Sequence, residues 1–474
     1  MAKTQEATPR ATPRATHRVL LLAQLSNSVG DGAFYTTSAL YFSKIIGLSA
    51  PQIGAGLAVA WGVGSLAGVP LGALADRRGP RGSAVLLALA TSAAVASFLV
   101  IRSFLPFLLA AVAYATAQSG LAAARQALLA GLVEPGARVA MLARLQATLN
   151  AGLAVGAALG GFALSAGTRS AYLAVFALDA LGFLLCAVLL RGLPPLQGSP
   201  EATGQGDGPR LVVLRDRPYA LLTLLNAALL LRLPLLSLAL PLWIAERTAA
   251  PGWTVSALFV LNTGAVMLFQ VRAARSVTGL PEAVRAVRSS GFVMLASCAV
   301  FAVTAAAGLG TWPVVGVLVL GAVLQVVAEM RHSAGSWQIG FGLAPADRMG
   351  QYQGFYGTGV PVARTLGPLL VTTLLIGQGA AGWLVLGGIF LVAALATGPA
   401  VRWAERSASR TAPDEWCSSE ELHDDGVAPG IPVALPHHEE CTKSAQSEMN
   451  HPRTPGTPGT TGALGTPTPE PERK

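Results

Sequence analysis

Asp31, Asp179, Arg232 and Arg364 each stand in the middle of a long apolar stretch, and Arg125, Glu329 and Arg331 stand toward the ends of two others. A charge in such surroundings is costly unless it is paired or neutralised, so each of these residues is a candidate for function. Asp31 is the sharpest. It sits in Asn27-Ser-Val-Gly30-Asp31-Gly32, where flanking glycines loosen a helix and admit water. Burial favours the protonated form of a carboxyl, and a nearby cation favours the ionised form. A carboxyl so placed can take up and release a proton. Arg232 falls at a similar depth in the seventh apolar stretch. Asp31 is therefore expected to alternate between a proton and a cationic partner, either Arg232 or a bound molecule. The alternative is a permanent Asp31–Arg232 bridge that holds two halves in register. His332 is the one histidine in these stretches and reads as a packing or gating residue. They contain no His/Glu metal set and no Ser/His/Asp set, so the sequence offers no metal centre, no catalytic residues and no cofactor site.

These side chains need helices that cross a bilayer. Charged residues are 12% of the 474 and hydrophobic residues 52%, and the charged share is about half of what a soluble globular chain carries. A span takes ~20 apolar residues. Twelve segments qualify, near 19–44, 53–75, 82–101, 105–133, 145–166, 171–190, 218–245, 254–271, 289–308, 312–336, 351–376 and 381–401. A polar, Gly/Pro-rich stretch separates the sixth from the seventh. The expected layout is an N-terminal tail over 1–18, a six-helix bundle over 19–190, a central loop over 191–217, a second bundle over 218–403 and a tail over 404–474. The fold class is an all-α membrane protein. The first apolar run is longer than a signal peptide's and leads into further spans.

The net charge of +9 sits in short connections and does not mark a nucleic-acid binder. With the N-terminus in the cytoplasm, the inner loops hold Arg77, Arg78, Arg81, Arg138, Arg144, Arg191, Arg210, Arg215, Arg217, Arg272, Arg275, Arg285, Arg288 and Arg348. The outer loops hold only Lys44, Arg102, Arg169 and Arg247. That is the positive-inside pattern, and it puts both termini in the cytoplasm. Only four of the 33 basic residues are lysines (Lys3, Lys44, Lys443 and Lys474), and Ala and Gly abound. Such usage fits a GC-rich bacterial genome and hence a bacterial inner (plasma) membrane. Cys186 and Cys298 lie in spans and Cys417 and Cys441 in the tail, so there is no disulfide framework. The tail carries acidic clusters and Thr454-Pro-Gly-Thr-Pro-Gly and reads as disordered. Its His423, His437, His438 and Cys441 fit no standard zinc spacing.

The two halves repeat. Gln146, Gly152, Val155, Leu159 and Gly160 match Gln353, Gly359, Val362, Leu366 and Gly367 at a constant offset of 207. Arg125 and Arg331 recur at similar depth, and each is followed by Pro-x-x-Arg, at Pro135–Arg138 and Pro345–Arg348. Duplicated halves of this kind pack as bundles around a central cavity and rock about it.

Between the second and third spans stands Gly72-Ala-Leu-Ala-Asp76-Arg77-Arg78-Gly79-Pro80-Arg81. This string resembles the signature loop of the major facilitator superfamily. The resemblance covers roughly residues 18–403 and implies two pseudo-symmetric six-helix bundles. It implies that Gly72, Asp76, Arg77, Gly79 and Arg81 latch the halves on the cytoplasmic side. The second half lacks a good copy, since 272–280 has no aspartate and no paired glycines. The fifth span, Gly152-Leu-Ala-Val-Gly156-Ala-Ala-Leu-Gly160-Gly161, is similar to the superfamily's antiporter motif, with Ala157 where a proline is usual. The eleventh span does carry Gly367-Pro368. Glycines at this spacing make a flat groove for helix packing or bending. An arginine that many proton-driven exporters carry four residues before a fourth-span glycine is absent, because Thr116 stands there.

The resemblance also implies a cavity lined by the first, fourth, seventh and tenth spans, which selects Asp31, Arg125, Arg232, Glu329 and Arg331. Glu329 and Arg125 would then form a gate between the halves; otherwise Glu329 and Arg331 are only neighbours on one helix. Asp179 and Arg364 would be structural hydrogen-bonders. Pocket candidates are Phe34, Tyr35, Tyr41, Trp61, Tyr114, Gln118, Asn226, Asn262, Gln325, Trp337, Tyr352 and Tyr356, whose aromatic faces suit lipophilic and cationic ligands. No nucleotide-binding Gly-x-x-x-x-Gly-Lys-Ser/Thr loop occurs, so the energy should come from an ion gradient. The expected protein is a monomeric, non-enzymatic secondary transporter that exports a small lipophilic compound, a drug or secondary metabolite, in exchange for protons. The first alternative is proton-coupled uptake of a sugar or organic acid; a membrane enzyme or sensor is the remote one.

Overall fold

The computed structural model describes residues 13–411 apart from 197, 199–210 and 306–309. Twelve helical elements follow one another: α1 (Pro13–Leu40), α2 (Ala50–Arg78), α3 (Pro80–Ser97), α4 (Phe104–Leu132), α5 (Pro135–Ala166), α6 (Arg169–Arg191), α7 (Arg217–Arg247), α8 (Trp253–Arg275), α9 (Leu280–Val303), α10 (Thr311–Gly342), α11 (Met349–Gly357 continued by Gly359–Val371) and α12 (Ala380–Thr411). Among the described residues, nine of them are long and apolar enough to cross a membrane on that measure alone. The chain is an all-α, multi-pass membrane protein.

Local sequence explains the ends. Ser49 and Gln52 form a reciprocal capping box at the start of α2. Asp216 caps α7 by accepting the Tyr219 N–H at 3.0 Å. Prolines at the first turns of α3, α5, α7 and α9 sit where no intrahelical N–H is needed. A single residue, Gly79 at φ 94°, turns α2 into α3, a conformation that side-chain-bearing residues avoid. Within α7, Pro234 removes a ladder donor, and a π-helical turn follows over Leu235–Ala239.

Several helices outrun the apolar windows of the sequence. α5 begins at Pro135 rather than 145, α9 at Leu280 rather than 289, and α12 runs to Thr411. The apolar window measures only the lipid-spanning part, whereas capping decides where a helix stops. The tail histidines and cysteines lie outside the described residues.

In the first half, α1 packs on α5 and α6, α2 on α4, and α3 on α4 and α6; in the second, α9 packs on α10 and α12, and α7 on α11 and α12. Gly152 and Gly160 approach Ser28 and Thr36 of α1, while their repeat partners Gly359 and Gly367 approach Ala227 and Pro234 of α7. The sequence repeat is thus a repeat of packing. Each half has an aromatic centre: Tyr41, Phe42, Phe107 and Phe176 in the first, with Tyr41–Phe176 centroids 4.5 Å apart, and Trp243 edge-on to Trp383 at 5.6 Å in the second. Leu66, Phe162, Leu268 and Trp312 are exposed on the outside, as expected of surfaces that meet lipid. The halves meet through α2 and α4 on α11 and through α5 on α8 and α10.

Candidate functional site

Between the halves lies a cavity of about 460 Å³, within the size range of small-molecule sites. Its walls come from α1, α2, α4 and α5 on one side and α7, α10 and α11 on the other. Tyr35, Trp61, Trp337 and Tyr356 give it aromatic faces, and Gln118, Gln126, Asn226 and Gln353 give it amides. None of the described lining residues is an acid or a base. Ser336 donates to Asn226 Oδ1 at 2.8 Å and lies 3.0 Å from the Tyr356 hydroxyl, which fixes one wall. The Gln126 Oε1 atom has no hydrogen-bond partner among the described residues.

One end of the cavity is shut by backbone contact between α2 and α11. A Cβ on Gly72 would lie 2.1 Å from the Gly350 carbonyl oxygen, and a Cβ on Gly354 would lie 2.5 Å from that of Gly68. Only glycine permits this approach. Asp76, in the same contact, accepts the backbone N–H groups of Gly350 at 2.7 Å and Gln351 at 2.8 Å. Those donors belong to the first turn of α11, where unpaired N–H groups favour an anion. The loop is braced from behind: Arg81 donates to the Leu193 carbonyl at 2.8 Å, and a Cβ on Gly198 would lie 2.0 Å from the Arg77 carbonyl oxygen.

Behind the cavity wall in the first half lies Asp31, 5% exposed. It accepts from Asn27 Nδ2 at 3.1 Å and from the Tyr114 hydroxyl and Gln118 Nε2, each at 3.4 Å. Gln118 also donates to the Tyr114 hydroxyl at 3.0 Å. Because Gln118 lines the cavity, this chain of donors connects the cavity to the carboxyl. Arg125, on α4, donates to Gln24 and, at 3.4 Å, to Asn27 Oδ1.

The second half holds a separate polar cluster. Arg232 meets Glu329 at 3.0 Å and donates to His332 Nδ1 at 3.4 Å and Ser333 Oγ at 3.2 Å. Arg232 therefore takes its carboxylate from α10 of its own half rather than Asp31. Glu329 correspondingly pairs with Arg232 and not with Arg125. The reason is topological, since the breaks in α7 at Pro234 and the inward face of α10 bring these side chains to one place. Arg331 lies instead at a surface depression with Glu282 and Arg285.

The remaining candidates divide. Tyr35, Trp61, Gln118, Asn226, Trp337 and Tyr356 line the cavity. Phe34, Tyr41 and Tyr114 lie in the aromatic core of the first half, Gln325 is buried, and Tyr352 donates to Asp216 at 2.9 Å. Asn262 is outside the cavity wall. Gly152, Gly156 and Gly160 serve the α1–α5 contact, while a Cβ on Gly161 would meet open space. The side chains of Arg364 and Pro368 lie outside the described residues. Asp179 is fully buried, and neither of its oxygens has a hydrogen-bond partner among the described residues, so the expected structural hydrogen bonding is not what it does. Sequence reasoning did not single out Gln126, Ser336 or Thr358 as cavity residues. Polar residues on these helices gave a signal, but which face they occupy depends on packing.

The sequence matches the family model of the Major Facilitator Superfamily over residues 20–368. Among solved structures, the chain is similar to a human organic anion transporter, MFSD10, at 18% identity and a TM-score of 0.60, over 82% of this chain and 100% of that one. It is similar to a bacterial homologue of the iron transporter ferroportin in an outward-facing state, at 16% identity and a TM-score of 0.63, over 82% and 99%. It is also similar to the proton:xylose symporter XylE, at 14% identity and a TM-score of 0.60, over 81% and 94%. Among curated proteins, none matches the sequence at a significant level.

Proposed function

We propose that this chain, which belongs to the major facilitator superfamily and is a membrane transporter rather than an enzyme, exports a small lipophilic compound in exchange for protons. The observation that carries the reading is the cavity wall. Four aromatic faces, a few neutral amides and no ionised side chain suit a molecule recognised mainly through its apolar surface. A multiply charged substrate would leave its charge unpaired there. In this reading the latch end faces the cytoplasm of a bacterial inner membrane, consistent with the basic residues of its loops. Closing at Asp76 and opening there alternately exposes the cavity. Asp31 binds a proton in one arrangement and releases it in the other, through the Gln118 chain that touches the cavity. The protein works as a monomer, because one chain supplies both bundles and the whole cavity.

A second reading has its own support. Gln118, Gln126, Asn226 and Gln353 are enough convergent amides to hydrogen-bond a neutral polar molecule such as a sugar. That would be uptake by symport. Accumulation of lipophilic drugs in cells lacking their own efflux pumps separates the two. The export reading gives lower accumulation with the protein present, reversed by a protonophore and abolished by Asp31→Asn. Raised accumulation of any compound, or full activity of Asp31→Asn, overturns it.

A further inference from the structure

Asp179 has no place in the scheme above, yet its position is built. It comes from α6 and rests in the notch left by Gly30, the residue before Asp31; a Cβ on Gly30 would lie 2.4 Å from Asp179 Oδ1 and 2.5 Å from its Cα. One turn along α6, Gly182 makes the matching approach to α1, where a Cβ would lie 2.5 Å from the Ser26 carbonyl oxygen. Two glycines, one on each helix, thus press the Asp179 carboxyl against the segment that carries Asp31. Asp179 is 0% exposed, and both of its oxygens lack a hydrogen-bond partner among the described residues. Asp31 beside it receives three donors.

Among the described residues no cation pairs with Asp179. On the helices it meets, α1 carries Arg14, His17, Arg18, Asp31 and Tyr35, and α4 carries Tyr114 and Arg125, while α6 itself carries Arg169, Tyr172, Cys186 and Arg191. Arg125 of α4 is spent on Gln24 and Asn27. Across the α3 contact, Ser92 donates to the Ala180 carbonyl and not to Asp179. The charged residues of α3 and α5 are Arg81, Arg138 and Arg144, and Arg81 and Arg138 donate to carbonyls at the ends of α6 and α4. A carboxylate without cation or donor is not sustained at this burial, whereas a carboxylic acid is. Asp31 directly follows Gly30, the residue that makes the notch, and neighbouring buried carboxyls resist ionising together and titrate as a pair.

We propose that Asp31 and Asp179 form one proton-binding carboxyl pair, with Asp179 held as the acid and Asp31 connected to the cavity through Tyr114 and Gln118. The pair carries one proton in one arrangement of the transporter and two in the other. The second proton enters and leaves by way of Asp31, so no group other than water in the cavity has to donate or accept it. The inference deepens the proton-exchange reading and rests on it for the direction of proton movement, but the state of Asp179 can be measured without any substrate.

The test is infrared difference spectroscopy of the full chain in lipid bilayers across a pH series. The wild type should show two carboxylic-acid C=O bands at low pH, one from Asp31 that bleaches as pH rises and one from Asp179 that persists and shifts as the first titrates. The persisting band should be missing in Asp179→Asn and displaced in Asp179→Glu, and the titrating band should be missing in Asp31→Asn. Asp179→Asn is nearly isosteric, and Asp179→Glu keeps the acid should the asparagine variant fail to fold. A wild-type spectrum unchanged by either Asp179 variant, the absence of a titrating band, or a titrating band that survives Asp31→Asn overturns the pair. Ethidium movement under an imposed pH gradient is measured on the same bilayers. If the titrating band is present but ethidium and the drug panel show no gradient-driven transport, the exchange reading fails and the pair stands.

Discussion

Replacing Asp76 by asparagine should open the latch. Asp76 receives two backbone N–H groups of α11, at 2.7 and 2.8 Å. Asparagine keeps the shape but has one acceptor, and its amide NH₂ faces a donor. One hydrogen bond is lost and the other becomes neutral. A hydrogen bond to a charged group contributes ~1.5–3 kcal/mol against ~0.5–1.5 for a neutral one, and the helix N-terminus adds ~0.3–1 kcal/mol for the lost charge. The closed arrangement should lose ~3–5 kcal/mol, a shift of roughly 150–5,000-fold toward the open one. The assay is the distance distribution between spin labels at Arg78 and Arg275, both exposed, on α2 and α8 of a chain whose native cysteines have been replaced. The wild type should give a single short population. Asp76→Asn should add a longer one or exchange the first for it. An unchanged distribution would refute the reasoning and leave the Gly72–Gly350 and Gly68–Gly354 contacts as the whole latch.

Other outcomes follow from the same geometry. Gly156→Ala puts a methyl group 2.0 Å from the Val29 carbonyl oxygen, so α1 and α5 must separate; overpacking of this kind costs ~1–3 kcal/mol, and thermal unfolding should occur at a lower temperature. Gly161→Ala meets nothing within 4 Å and should leave the unfolding temperature unchanged. Glu329→Gln strips Arg232 of its carboxylate partner at 3.0 Å and should destabilise by about 3 kcal/mol, toward the low end of the range for buried pairs because Glu329 is partly exposed; adding Arg232→Met should recover most of that in the same unfolding assay. Trp337→Ala removes an aromatic face from the cavity and should raise the KM for transported lipophilic compounds; because Trp337 also packs against both cores, it should lower the unfolding temperature as well.

The fold was legible in the sequence because bilayer thickness sets a length scale that apolar runs must meet. The repeat at 207 residues was legible for a related reason: a glycine at a close approach leaves the same mark in each half, at Gly160 against α1 and at Gly367 against α7. What escaped were relations between helices. Arg232 and Asp31 stand at similar depths along the chain, and depth alone suggested a pair. The structure instead puts Glu329, His332 and Ser333 around Arg232, because a helix face cannot be assigned until its neighbours are known. Asp179 looked like a supporting hydrogen-bonder for the same reason. Its notch is made by Gly30, more than a hundred residues away in sequence, and no local pattern in α6 reveals it. The glycine stripe of α5 announced a groove correctly, but only packing showed that α1 fills it within one half.

The central claim is exchange of a compound for protons, and proteoliposomes with an imposed pH gradient test it directly. The wild type should accumulate ethidium, whose permanent charge prevents passive trapping by pH, when the lumen is acid, and should release protons from the lumen as it does so; Asp31→Asn should do neither. Accumulation driven by acid outside instead would mean symport, and it would contradict the account.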